Sequence, residues 1–130
     1  MADHLPGKEF YIVDTRLKDG VAGEEMMKVL PDHLDYQIEL EKNGTLFAAG
    51  PVDGEDGNRV GGMIVYRADN FDAARAIADA DPMHARGVRG YTINKWTVNE
   101  GGFTLSFNYS DRSGEIEYQE LNKLLRRGAS

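Results

Sequence analysis

Two places in this 130-residue chain gather side chains that could move protons. The first is Asp79-Ala80-Asp81-Pro82-Met83-His84-Ala85-Arg86-Gly87, where carboxylates, an imidazole and a guanidinium fall within nine residues. The second is Pro31-Asp32-His33. An imidazole that gives one ring nitrogen's hydrogen to a carboxylate has its tautomer fixed, and its other nitrogen becomes a general base near neutral pH. Such a pair suits removal of a phenolic or C–H proton from a small substrate, with no metal or nucleotide required. Other chemistries find little support. There is no cysteine, hence no thiolate, disulfide or Cys-based zinc site. Serine occurs only at 106, 110, 113 and 130, all in the tail, and Gly61-Gly62 and Gly101-Gly102 do not open a phosphate-cradling helix.

The elements that must position these groups follow from hydrophobic spacing. Residues 8–15 carry Phe10-Tyr11-Ile12-Val13, apolar at both parities, which predicts a central strand covered on both faces. Residues 24–30 predict a short helical turn, and Pro31 opens a separate helix to Asn43, because proline at a first helical position loses no hydrogen bond. His33 then lies in a first turn, near the positive end of the helix dipole. Strands are predicted over 45–52, 61–68 and 88–98. Asn70 is a fitting N-cap for a helix carrying Phe71, Ala74, Ile77 and Ala78, which ends where Pro82 forces Asp81 out of helical geometry.

The order β-α-β-β-α-β predicts an α+β, ferredoxin-like protomer with both helices on one sheet face. The other face needs a cover, and a second copy of the chain is the economical one, so a homodimer is expected. Beyond Trp96, residues 103–109 alternate apolar and polar as a half-buried strand that should extend the sheet or reach across the dimer. Residues 110–114 turn, and 116–127 predict a helix ending in Arg126-Arg127. The division is a domain over 8–98 and a C-terminal extension over 99–130.

Composition narrows the partners. Hydrophobic residues at 41% and charged residues at 28% are a globular balance, and a net charge of −7 supplies no basic patch for nucleic acid or an anionic membrane. No apolar run spans a bilayer and the first residues lack a basic, apolar leader, so a cytoplasmic protein is expected.

The Phe-Tyr-Ile-Val strand, Pro31-x-His33, Gly44-x-Leu46 leading to Ala49-Gly50-Pro51, Asp81-Pro82 with Gly87, and Trp96 together resemble the YCII-related (YciI-like) family. The resemblance covers residues 8–98 and implies a dimeric α+β barrel with a pocket in each protomer. It implies that a His and an Asp line that pocket, and His33 and Asp81 match those positions. The best-defined activity in the family is a cofactor-free removal of chloride from a chlorinated hydroxyhydroquinone. The expectation is therefore a small lyase or isomerase-type enzyme with His33 and Asp81 as catalytic residues, no cofactor and no metal. Gly50, Pro51, Arg59, His84 and Arg86 are expected to bind the ligand, a small aromatic or cyclic metabolite. Three other readings stay open: Asp81 as a turn residue capping Met83, a non-catalytic dimer that binds a small ligand, and a cofactor-independent monooxygenase.

Overall fold

The computed structural model describes residues 9–111 and 113–117. One compact unit spans Glu9–Trp96, and the described residues from Thr97 onward belong to another. The elements of the first are β1 (Glu9–Leu17), α1 (Gly23–Lys42), β2 (Leu46–Asp53), β3 (Arg59–Tyr66), α2 (Phe71–Ala80), a single turn α3 (Pro82–Ala85) and β4 (Arg89–Thr97). The strands form one sheet in the order β2-β3-β1-β4, with β3 antiparallel to both β1 and β2. This is the ferredoxin-like α+β fold.

Register decides which side chains meet the helices. Val13 lies opposite Ile64, Tyr11 opposite Tyr66 and Thr15 opposite Gly62, so these residues share one face. On it Val13, Ile64 and Tyr66 pack with Leu40 of α1 and Ala78 of α2, placing both helices on the same side. On the opposite face Phe10 stacks against Phe47 at 4.5 Å and Trp96 at 5.9 Å, with the Arg67 guanidinium over the Phe47 ring. Phe47, Val52, Met63 and Trp96 remain exposed. No helix among the described residues is long and apolar enough to cross a membrane.

Two expectations are corrected. Residues 24–30 and the helix after Pro31 are one continuous α1 with Pro31 inside it. An interior proline costs a helix about 3 kcal/mol, and packing on both sides of it offsets this. Val29 is buried with Met83 and Val88, and Leu40 sits in the main core. His33 is therefore mid-helix, away from the dipole end that the sequence assigned to it. The second correction concerns the tail. β5 (Phe103–Asn108) is neither a lone strand nor an added edge of the main sheet. It pairs antiparallel with β6 (Ser113–Glu117), Leu105 opposite Ile116. The predicted 116–127 helix thus fails at its start, because a local hairpin satisfies the strand's backbone groups without a distant partner. The remainder of that helix lies outside the described residues.

The capping chemistry holds. Asn43 closes α1 with Gly44 following at φ +83°, a left-handed turn that glycine adopts freely. The Asn70 side chain accepts the Ala73 amide hydrogen at 2.8 Å to start α2.

Candidate active site

Asp81 joins α2 to α3. Pro82 holds it extended at φ −62°, ψ 126°, and its carboxylate folds back to accept the Met83 amide at 2.9 Å, capping α3. Its exposure is 0%. A buried carboxylate needs donors on every side, and α1 supplies them. His33 Nδ1 donates to Oδ1 at 2.8 Å and Oδ2 at 3.0 Å, and Gln37 Nε2 donates to Oδ2 at 3.0 Å. His33 and Gln37 are four apart, on one face of the helix. Burial pushes the Asp81 carboxyl up, but the hydrogen bonds from His33 and the Met83 amide outweigh it and hold the group below its ordinary value. Asp81 therefore serves as a cap and as a histidine partner at once, and the two readings of it are not rivals.

A carboxylate only accepts, so the proton between the two groups sits on His33 Nδ1. Nε2 then carries a lone pair in the neutral ring. It has no hydrogen-bond partner among the described residues. The ring, its side chain 17% exposed, lines a cavity of about 380 Å³ between α1 and the sheet. Leu34, Ile38 and Ile64 form its apolar walls, Gly50 and Pro51 of β2 and Gly61-Gly62 of β3 contribute backbone, and Thr15, Gln37, Glu41, Arg59 and Arg89 are its polar groups.

The expected site residues separate accordingly. His33, Gly50, Pro51 and Arg59 line the cavity, Arg59 paired with Asp53 at 2.6 Å, and Asp81 stands behind His33. His84 and Arg86 do not line it. His84 Nδ1 donates to the Ala78 carbonyl at 2.6 Å and its Nε2 accepts from the Thr15 hydroxyl at 2.8 Å, which engages both ring nitrogens inside the protein. Arg86 pairs with Asp32 at 2.7 Å on an exposed surface. These two residues, expected to bind the ligand, therefore stand apart from the cavity that His33 lines. Asp79 accepts from the Tyr91 hydroxyl at 2.6 Å, and burial together with that bond pushes the Tyr91 phenol up to about 12. Among the described residues no group of three or more His, Asp or Glu is placed to hold a metal.

Four polar residues at this site, Thr15, Gln37, Glu41 and Arg89, went unread in the sequence. Gln37 was detectable, being one helical turn after His33. Thr15 and Arg89 were not, because a single polar residue in a strand gives no sign of which cavity it faces.

A family model for the YCII-related domain matches residues 9–97. The chain belongs to the YCII-related family. Protein YciI from Escherichia coli O6:H1 is 35% identical over 71 residues, covering 50% of this chain and 72% of the relative, and Protein YciI from Shigella flexneri matches to the same extent. Among solved structures, 5-chloro-2-hydroxyhydroquinone dehydrochlorinase from Burkholderia phenoliruptrix AC1100, in complex with 2,5-dihydroxybenzoquinone, superposes with a TM-score of 0.58. It is 17% identical and covers 69% of this chain and 95% of its own. At that identity the likeness concerns the fold.

Proposed function

We propose that this YCII-related protein is a cofactor-free acid–base enzyme of lyase or isomerase type acting on a small aromatic or cyclic metabolite. The observation that carries the reading is the His33 ring, tied through Nδ1 to a buried carboxylate and leaving Nε2 without a partner in a residue that lines the cavity. A volume of about 380 Å³ suits one small ring. His33 Nε2 takes a proton from the substrate, and the electron pair left behind forms a new double bond. That expels a leaving group with its own electron pair, chloride in a dehydrochlorination of the kind the solved neighbour is named for. Asp81 stabilises the imidazolium that results, without itself taking the proton. The pair sits in the proposed 8–98 domain, to which 99–130 is an extension.

Removal of a general base costs about 10²–10⁴-fold in rate. His33→Ala and Asp81→Asn are expected to lower kcat/KM for chlorinated polyhydroxybenzenes by at least about 100-fold, read as halide release in a stopped assay. Unchanged turnover in His33→Ala rejects the reading, and oxygen consumption matched to turnover moves the protein to the monooxygenase class.

The proposal includes a homodimer, supported by the exposed Phe47, Val52, Met63 and Trp96 on the sheet face away from the helices. Light scattering is expected to give about twice the 14.4 kDa chain mass, and a monomer mass removes the dimer from the proposal.

A further inference from the structure

Arg89 stands at the start of β4, two residues beyond the Gly87 turn, and its side chain lines the same cavity as His33. Its surroundings are unusual for a guanidinium. Nη2 reaches only the Met26 thioether, at 3.3 Å, and Nε is buried with no acceptor. No carboxylate pairs with it among the described residues. A thioether is a weak acceptor, so a planar cation with five N–H donors is left largely unsatisfied. Burial pulls its pKa down, the buried Asp81 charge raises it and the neighbouring Arg59 lowers it. It nonetheless remains a cation at any physiological pH. The side chain is half-buried, and at Nε, where water is shut out, nothing in the described protein supplies the missing acceptor.

The sheet makes room for this group. A Cβ added at Gly62 would lie 3.4 Å from Arg89 Nη1 and 3.2 Å from Thr15 Cγ2, and one at Gly61 would meet the Thr15 carbonyl oxygen at 2.6 Å. Paired glycines inside a strand mark such a close approach, and they give Gly61-Gly62 a purpose the sequence left unassigned. Of the charged groups facing the cavity, His33, Arg59 and Arg89 are cationic or able to become so, and Glu41 is the carboxylate that faces it directly. Arg59 already holds Asp53. The unmatched acceptor demand therefore falls on Arg89.

We infer that Arg89 is the anchor for an anionic oxygen on the substrate, so that the cavity selects acids: ring oxyanions or carboxylates on a small planar skeleton. The guanidinium fork matches two such oxygens, or one oxygen and a neighbouring acceptor, in one plane. Holding that anion fixes the skeleton beside His33. In a proton abstraction it also favours the charge that develops on an adjoining oxygen. The inference deepens the proposed reading of the site and rests on it for the reaction, but its test needs only binding.

Titration calorimetry at neutral pH with 2,5-dihydroxybenzoquinone and benzoate as anionic probes, and hydroquinone as the neutral one, separates the possibilities. The wild-type protein is expected to bind an anionic probe at least about tenfold more tightly than hydroquinone, a difference of about 1.4 kcal/mol. Arg89→Met should abolish that preference while His33→Ala keeps it. Tighter binding of dihydroxybenzoquinone assigns the subsite to a ring oxyanion, and tighter binding of benzoate assigns it to a carboxylate. If Arg89→Met loses its thermal unfolding transition, Arg89→Lys serves instead: it keeps the charge, loses the fork, and should bind the anion more weakly than wild type. Anion affinity unchanged in Arg89→Met, or in Arg89→Lys where that variant is the one used, overturns the inference, as does a wild-type protein without anion preference. Loss of turnover in His33→Ala with anion preference intact leaves both readings standing. Unchanged turnover with that preference intact removes the enzyme reading alone.

Discussion

His33 and His84 both contact the joint between α2 and α3, yet the structure treats them oppositely. His33 spends one ring nitrogen on Asp81 and keeps the other free beside a cavity, whereas His84 spends one on the Ala78 carbonyl and the other on Thr15. The first keeps a lone pair beside open space, which is what the proposed reading uses as its base, and the second is a crosslink between the joint and β1. Density of titratable groups in the sequence favoured the segment that holds His84. Availability of a lone pair next to open space favours His33. A histidine therefore has to be judged by what its second nitrogen touches.

That contrast can be broken in steps of decreasing size. The shared carboxylate should matter most. Asp81→Ala leaves the His33 ring, the Gln37 amide and the Met83 amide without their acceptor. A loss of about 3–5 kcal/mol in urea unfolding is expected, the range for breaking a buried polar partnership from one side. A loss under about 1 kcal/mol, the worth of a single neutral hydrogen bond, would show that the joint does not depend on it.

Next comes His84. His84→Gln should cost about 1–3 kcal/mol, since it disturbs two partly buried hydrogen bonds, while sparing any turnover that His33→Ala abolishes. Equal loss of turnover in both variants would erase the distinction between the histidines. The smallest effect is the pH dependence. Burial, ahead of the opposing Ala78 hydrogen bond and Asp81 charge, holds the His84 pKa below its ordinary value. As pH falls through about 6.5 the unfolded chain takes up a proton that the folded ring resists, so stability is full above that pH and declines below it. The wild-type thermal midpoint should fall between about pH 7 and pH 5.5 more steeply than that of His84→Gln. Parallel slopes would deny His84 this role. Asp81 acts in a separate window: its depressed pKa contributes stability above the ordinary carboxylate range, lost only as pH drops through the lowered value.

The fold was legible because its signals are local and redundant. Alternating and doubly apolar runs mark the strands, Asn70 starts α2 and Pro82 stops it. Pro31 misled because a proline suits a helix start and only tertiary packing, through Val29 and Leu40, keeps it inside a helix. The tail misled over residues 113–117, placed in a turn and a helix start, because the Ser113–Glu117 segment finds a strand partner in β5. Of the candidate site, His33 and Asp81 could be picked out through the family likeness. Their mutual contact depends on the packing of α1 against α3, which no single segment encodes. Arg89 was illegible for a simple reason: its interest lies in the partners it lacks.

The position of Asp81 also bears on any attempt to move this pair to another protein. Its carboxylate is aimed at His33 by the same turn that ends α2, places Pro82 and begins α3, and that turn is held in place by the Met83 amide and by Gln37 from the facing helix. The portable unit is consequently the corner between two helices together with one turn of α1. Transplanting two side chains alone would carry the chemical groups and leave their aim behind.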